Sequence, residues 1–220
     1  FFNRSIHAPV KRFISPNFLP TADNKRANLT KSFAYNLLRL PEYLRSMYYI
    51  NQRIRETGAE VVINFYELLT GFTYALFRPS VPYICVGHQY LFLHRDFEFP
   101  DKNSCQLWML RFFTRMTALR SSKKLALSFL EMEQDDMNQI VTVPPLIRQE
   151  VTAIRPEKGD YIHGYMVNSG FADSVENFHA KHAEVPLTFF WDRSDAEEVT
   201  RIDETLSFHK KDDVKFLGGL

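Results

Sequence analysis

The sequence predicts an α/β protein built from two Rossmann-like domains. Short apolar runs rich in β-branched and aromatic residues recur along the chain, as in parallel strands that are buried on both faces. Two of these runs, residues 61–65 and 82–86, enclose a segment long enough for the helical crossover that parallel strands require. The same order of strand, helix and strand returns after Pro144 and Pro145, over residues 161–191.

The composition is that of a folded and nearly neutral protein. Apolar residues make up 45 % of the 220 residues, which is enough for a sizeable core. Lysine and arginine number 27 against 26 acidic residues, and this balance argues against a dedicated nucleic-acid binder. No apolar run is long enough to predict a membrane-spanning helix. Two cysteines, Cys85 and Cys105, outside any C-x-x-C motif favour a reduced cytosolic protein, with a single disulfide as the alternative.

The chain in front of the opening strand begins irregularly and then turns helical. Prolines break any regular element within residues 1–23. Thr30 is a good N-cap for the first helix. Three apolar residues of that helix share one face, which we expect to be buried: Phe33, Leu37 and Leu38.

A second helix is predicted between the first helix and the opening strand. Pro41 ends the first helix and fits the first turn of the second, which ends at Gly58. Four of its apolar side chains are expected to face the core: Leu44, Met47, Tyr48 and Ile54.

Residues 104–120 predict a helix that is broadly apolar but carries Arg111 and Arg115. We favour a buried helix with a cationic outer edge. The alternative is a helix that touches anionic lipid. Strands over residues 125–129 and Ile140–Val143 then complete the first half of the chain.

The paired prolines Pro144 and Pro145 mark the predicted domain boundary. We expect a first domain over residues 1–145, a polar linker over 146–160, and the start of a second domain over 161–220.

The second domain repeats the opening pattern. A strand over residues 161–167 leads into a helix over 171–182, and the strand Leu187–Trp191 follows. Four residues of the helix form its predicted buried face: Phe171, Val175, Phe178 and His182.

Candidate site residues come directly after the first two strands. Glu67 follows the first strand, and His88 with Gln89 follows the second. In open parallel sheets, ligands bind beyond the carboxyl ends of the strands, so Glu67 or His88 could accept a proton or hold a sugar hydroxyl. The alternatives are structural, because His88 could tie two loops together and Glu67 could cap the next helix.

The turn formed by Asn168, Ser169 and Gly170 is the best candidate for phosphate binding. A turn of small residues between a strand and a helix leaves backbone N–H groups free to bind a phosphate, and the helix N-terminus adds a favourable field. The alternative is a plain capping turn that binds nothing.

A metal site is not predicted. His179 and His182 are three residues apart on the predicted helix, but a metal site needs a third ligand and His182 also falls on the apolar face. The G-x-S-x-G, Walker A, H-E-x-x-H and complete G-x-G-x-x-G motifs are absent from the sequence.

Taken in order, the apolar blocks resemble those of glycosyltransferases of the GT-B type. The likeness is closest to a bacterial and archaeal group related to enzymes that transfer sugars from UDP-sugars to lipid or aglycone acceptors. Each block is moderately specific, and their order carries the resemblance. The blocks are residues 61–71, 81–89, 143–148, 160–182 and 187–191.

The resemblance implies two Rossmann-like domains that face each other across a cleft. The acceptor would bind the first domain, and the nucleotide-sugar would bind mainly the second. Asn168, Ser169 and Gly170 match the family's turn near the donor pyrophosphate.

The resemblance also assigns residues to the acceptor side of the cleft. Glu67, His88 and Gln89 would line it there, and Arg148 could face it from just past the linker. Such enzymes generally need neither a metal nor another cofactor, because helix N-termini and side chains stabilise the leaving diphosphate.

The function implied is transfer of a sugar from a nucleotide-sugar, UDP-linked in the related enzymes, to a lipid or glycan acceptor. The expected setting is cytoplasmic, with peripheral contact to an anionic membrane at its inner face and no nucleic-acid partner. Two alternatives stay open: a non-catalytic interaction module with the same fold, and a nucleotide-sugar epimerase.

The chain departs from the family pattern at both ends. The first strand with its glycine-rich turn is missing before Phe1, and the glycine and glutamate motif that holds the nucleotide is missing after Leu220. We therefore expect a piece of a longer protein, which could be inactive by itself even where the longer protein is an enzyme.

Overall fold

The structure is a computed structural model, and it describes residues 9–19, 21, 28–99, 105–155, 158–166, 169–193, 195–211 and 216. The chain forms two compact units. The first unit contains residues 1–17 and 33–146, and the second contains residues 18–32 and 147–220. Each unit has its own four-stranded sheet. These two sheets with their helices confirm the predicted α/β class with two Rossmann-like units.

The first unit alternates helices with short strands. Its elements in chain order are α1 Leu29–Leu38 (in this unit from Phe33 onward), α2 Leu40–Glu56, β1 Val62–Asn64, α3 Leu68–Phe77, β2 Tyr83–Val86, a 3₁₀ helix His88–Leu93, α4 Cys105–Thr117, β3 Lys123–Leu127 and β4 Ile140–Val143.

The four strands of the first sheet are parallel and lie in sequence order, β1-β2-β3-β4. The register pairs Asn64 of β1 with Cys85 of β2, and Val86 of β2 with Leu125 of β3. Because the strands are parallel, their carboxyl ends share one edge of the sheet. The chain segments that follow the strands are therefore brought together there.

A core of aromatic and aliphatic residues fills the space between this sheet and its helices. Tyr83, Tyr90 and Ile140 are fully buried, and the rings of Tyr74 and Tyr83 pack in a tilted arrangement with their centroids 4.1 Å apart. Helix α2 contributes Ile54, as predicted. This helix carries Pro in its first turn and ends as predicted, with a left-handed glycine just beyond it.

Three predicted apolar faces of the first unit are wrong in part. Strand β1 is an edge strand, so Ile63 is exposed instead of covered on both faces. On α1, all three residues of the predicted face are exposed: Phe33, Leu37 and Leu38. On α2, Leu44 and Tyr48 are exposed, whereas Met47 and Ile54 are buried as predicted. Periodicity identifies an apolar face but does not say whether another element covers it.

The start of α1 also differs from the prediction. The helix begins at Leu29, and the side chain of Asn28 accepts a hydrogen bond from the backbone N–H of Lys31 at 3.0 Å. Thr30 therefore lies inside the helix, and Asn28 is the capping residue. Asparagine and threonine both favour this position, and the sequence alone did not separate them.

Helix α4 is less buried than the favoured interpretation required. Trp108 is 64 % exposed and Phe112 is 47 % exposed, and their rings stack at 5.3 Å. Thr114 and Thr117 are the fully buried side chains of this helix. The prediction of a buried helix with only a cationic outer edge is therefore wrong.

The second unit contains a mixed sheet with the strand order β5-β6-β8-β7. Its elements are α5 Gln149–Thr152, β5 Ile162–Tyr165, a 3₁₀ helix Ser169–Phe171, α6 Ala172–His179, β6 Leu187–Trp191, β7 Val199–Arg201 and β8 Leu206–Lys210. Strands β5, β6 and β8 are parallel, whereas β7 pairs antiparallel with β8 at the sheet edge. The β7–β8 hairpin was not predicted.

The face of α6 that packs on the sheet agrees with the predicted one only at Val175. Phe171 and Phe178 are exposed, as is His182, whose ring lies 4.6 Å from that of Phe178. Val175 packs against the core, and His179 is buried.

Within the described part of the chain, no helix is long and apolar enough to cross a membrane.

Candidate functional site

The carboxyl edge of the first sheet brings Glu67 and His88 to equivalent positions. Asn64 and Cys85 are register partners in β1 and β2, and Glu67 and His88 each come three residues later. Adjacent strands are about 4.8 Å apart, so these two side chains start from neighbouring points of the sheet edge. The predicted location of both residues beyond the strand ends agrees with this geometry.

Glu67 caps helix α3. Its Oε1 accepts hydrogen bonds from the backbone N–H of Leu69 at 3.0 Å and from the hydroxyl of Ser15 at 2.6 Å. The structural alternative considered for Glu67 is therefore present. Among the described contacts, Oε2 makes no hydrogen bond, so capping leaves the second carboxylate oxygen able to accept a proton.

Asn64 fixes the backbone of Glu67. Its Oδ1 accepts from the N–H of Glu67 at 2.9 Å, and its Nδ2 donates to the carbonyl of Glu67 at 3.1 Å and to that of Thr117 at 2.9 Å. Asn64 is buried, so these bonds are shielded from water. Sequence reasoning missed this role, and the signal was a polar residue inside an otherwise apolar strand.

His88 and Gln89 open the 3₁₀ helix after β2. The backbone of Gly87 extends the β2–β3 pairing, since its N–H bonds to Leu125 and its carbonyl accepts from Leu127. The His88 side chain that follows is exposed and makes no hydrogen bond to the described part of the chain. The alternative role for His88, a tie between two loops, therefore has no contact that supports it. Gln89 is half-buried beside it.

Large apolar side chains also lie exposed after the strands of the first sheet. Phe65 follows β1, and Phe129 and Leu130 follow β3. Phe129 is 87 % exposed. Exposed apolar groups on one edge of a sheet are a common sign of a binding surface.

Two of the three predicted phosphate-binding residues lie where expected in the second unit. Ser169 and Gly170 form a half-buried 3₁₀ turn between β5 and α6. Asn168 lies outside the described residues. Arg148, the remaining predicted site residue, flanks the N-terminus of the short helix α5 and is half-buried.

His179 is bound to a carboxylate instead of being available to a metal. Its Nε2 donates to Oδ2 of Asp203 at 2.6 Å, and Asp203 also accepts from the backbone N–H groups of Thr205 and Leu206. This contact joins the end of α6 to the turn before β8. Among the described residues, no group of three metal-binding side chains comes together.

We predict that Asp203 makes the second unit sensitive to acid. The hydrogen bond from His179, followed by that from Thr205, holds the pKa of Asp203 well below its usual range. A carboxylate whose pKa is lowered by folding stabilises the protein above its unfolded pKa of about 3.9, and this contribution is lost as the pH falls further. Asp203→Asn should therefore lower stability at pH 7, and its difference from the parent should shrink below about pH 4.

Urea unfolding at several pH values between 7 and 3 measures this difference. Glu204→Gln, at the adjacent exposed position, is the matched control and should show no such trend. A deficit of Asp203→Asn that is constant over the whole pH range would contradict the assignment.

A protein-family model described as Glycosyl transferase family 1 matches residues 17–220. The match includes both sheets and every candidate site residue, because all of them lie within that range. No curated protein and no solved structure gave a match.

Proposed function

Because the chain belongs to glycosyl transferase family 1, we propose that it transfers a sugar from a UDP-linked nucleotide-sugar to an acceptor that carries a lipid or a glycan. Membership of the family establishes glycosyl transfer in general terms. The choice of a UDP-linked donor and of a lipid or glycan acceptor follows from the resemblance to GT-B enzymes that use UDP-sugars. The observation that carries the proposal is the placement of a carboxylate and an exposed imidazole after two neighbouring strands, at the carboxyl edge of one parallel sheet.

On the acceptor side, we assign His88 and Glu67 to proton transfer. The acceptor hydroxyl attacks the anomeric carbon, its proton passes to the base, and the bond from that carbon to the diphosphate breaks. His88 suits the base because its imidazole is exposed and makes no hydrogen bond to the described residues. One carboxylate oxygen of Glu67 accepts hydrogen bonds from Ser15 and Leu69, and the other is left to accept a proton.

On the donor side, we assign Ser169 and Gly170 to the diphosphate. They connect the carboxyl end of β5 to the N-terminus of α6, where backbone N–H groups attract anions. Side chains and N–H groups would then stabilise the leaving diphosphate without a metal or a further cofactor. Gln89 and Arg148 are assigned to substrate hydroxyls and phosphate, respectively.

Calorimetric titration of the full-length protein with UDP tests the proposal. We expect binding of UDP, and Gly170→Asp should weaken it by at least about tenfold because a carboxylate would face the phosphates. Ser174→Asp adds the same charge at an exposed position of α6 and serves as the control. Absence of binding to UDP and to other nucleotides would favour the non-catalytic module, and a sugar product formed without acceptor would identify an epimerase.

We also propose peripheral contact with an anionic membrane at its cytoplasmic face. Trp108, Arg111, Phe112 and Arg115 follow the i, i+3, i+4, i+7 spacing, so they share one face of α4. Two exposed aromatic rings flanked by arginines are the composition of an interfacial helix. Both cysteines are free thiols, with Cys85 buried and Cys105 exposed.

Liposome flotation tests the membrane contact. The protein should float with vesicles that contain anionic lipid, and the double variant Trp108→Ser/Phe112→Ser should float several-fold less because its apolar contact is lost. Met137→Ser removes an apolar side chain that is 89 % exposed on the turn before β4, and it should float normally. Equal recovery of parent and double variant would end the proposal.

A further inference from the structure

We propose that a groove formed by α1, α2 and α3 binds the hydrocarbon chain of the acceptor, an inference that rests on the proposed function. The groove has a volume of about 240 Å³. It is lined mainly by apolar side chains: Phe33 and Leu37 of α1, Leu40, Leu44 and Met47 of α2, and Phe72 of α3. No residue of this groove was predicted as part of a site.

The groove is open to solvent although its walls are apolar. Phe33 is 71 % exposed, and Leu37 and Leu44 are each more than half exposed. The sequence pattern marks these residues as a face to be buried, and contiguous apolar surface of this kind marks an interaction site. A ligand bound in the groove would shield this apolar face from water.

The polar atoms of the groove wall are already paired. Tyr43 donates its hydroxyl hydrogen to Oδ1 of Asn36 at 2.6 Å. Asn36 also accepts from the N–H of Asn17 at 3.0 Å and donates to the carbonyl of Asn17 at 2.9 Å. A sugar needs hydrogen-bonding partners in its site, and these two side chains are engaged with the protein. The wall therefore favours a hydrocarbon chain over a glycan.

The groove is connected to the candidate catalytic carboxylate. Ser15, which donates to Glu67, directly precedes Pro16, a residue of the groove wall. Leu69, whose N–H also donates to Glu67, lies in the wall as well. An acceptor whose chain occupies the groove therefore has its polar end close to the site of proton transfer, which links the groove to the transfer reaction.

The chain length of the ligand should set its affinity. Burial of one methylene group contributes about 0.8 kcal/mol, so each methylene that enters the groove should tighten binding about fourfold until the groove is full. Calorimetry of the full-length protein with n-alkyl β-glucosides of increasing chain length, below their micelle concentrations, measures this dependence. A photoreactive diazirine palmitate then identifies the residues it labels, which we expect on α1 and α2.

Leu37→Asp and Leu44→Asp should each weaken alkyl-glucoside binding by at least about tenfold, because a carboxylate would have to be desolvated beside the chain. Leu38→Asp is the matched control: Leu38 is on the same helix, is 84 % exposed and does not line the groove. Binding by this variant should equal that of the parent.

Three results would overturn the inference. They are an affinity independent of chain length, an equal loss in Leu38→Asp, and labelling confined to residues outside the groove. Analytical ultracentrifugation tests another possible occupant of the groove, a second copy of the chain. If the protein forms a dimer that Leu44→Asp dissociates, and if it does not bind the glucosides, the groove is a dimer interface. Titration with UDP is done in parallel to separate this inference from the proposed function. Binding of the glucosides without binding of UDP would support the groove and contradict only the proposed sugar transfer.

Discussion

We expect an alanine in place of His88 to lower the rate of sugar transfer by about 10²- to 10⁴-fold, the contribution typical of a general base. The free energy of unfolding should change by less than about 0.5 kcal/mol, because the side chain is exposed and makes no hydrogen bond to the described part of the chain. Initial rates of UDP release in the presence of acceptor, together with urea unfolding, measure the two effects separately.

Two further variants decide how the result is interpreted. His182→Ala removes another exposed imidazole and should leave the rate unchanged. Glu67→Gln keeps a carbonyl oxygen for the hydrogen bonds from Ser15 and Leu69 but cannot accept a proton. A large loss in Glu67→Gln with a parent-like rate in His88→Ala would move the role of base to Glu67, and parent-like rates in both would remove the site from this edge.

The fold was predictable where the signal is local. The strands Ile140–Val143 and Leu187–Trp191 were predicted with their observed bounds, because each is a short run of β-branched, aromatic and other apolar residues ended by polar residues or proline. The β7–β8 hairpin was missed because β7 has only three residues and lies within a charged stretch, residues 192–204, that is typical of a loop. Strand β8 exists through its pairing with β6, and that pairing is invisible in the local sequence.

Exposure was predicted less well than secondary structure. The apolar face of α1 and the aromatic face of α4 follow the correct helical spacing, yet both lie open to solvent. Whether such a face is buried depends on the neighbouring elements, and spacing along the chain carries no information about them. These two mistaken expectations are also the two surfaces for which ligands are proposed.

In the candidate site too, the local features were predictable from the sequence and the long-range contacts were not. The positions of Glu67 and His88 followed from strand ends, and the capping role of Glu67 was among the alternatives. The hydrogen bond from Ser15 was not predictable, because it joins residues 52 positions apart in the sequence. Asn64 was visible as a polar residue in an apolar strand, but its partner Thr117 comes from the end of α4.

The second large effect is expected at Gly71, where α3 touches the backbone at the end of α4. A Cβ atom at this position would lie 2.2 Å from the carbonyl oxygen of Met116 and 3.0 Å from that of Thr117. Backbone atoms cannot rotate away as a side chain can, so Gly71→Ala must push the two helices apart. We expect a loss of about 1–3 kcal/mol in the free energy of unfolding.

The same displacement should reach the sheet edge that carries Glu67 and His88. The carbonyl of Thr117 accepts the hydrogen bond from Asn64, and Asn64 holds the backbone of Glu67 on both sides. A shift of the α4 end therefore loosens the residue that caps α3 and presents its carboxylate. We expect Gly71→Ala to lower the transfer rate even at temperatures where the variant stays folded, as circular dichroism can verify.

Helix propensity alone makes the opposite prediction, which allows a sharp test. Replacing an unhindered helical glycine with alanine stabilises a protein by about 1 kcal/mol. Ala75→Gly, at an exposed position of the same helix, measures that propensity in α3 and should cost about that amount. Gly71→Ala could instead gain the stability that Ala75→Gly loses. In that case α3 and α4 would not be in backbone contact. The inference that α4 supports Asn64 and Glu67 would then be wrong.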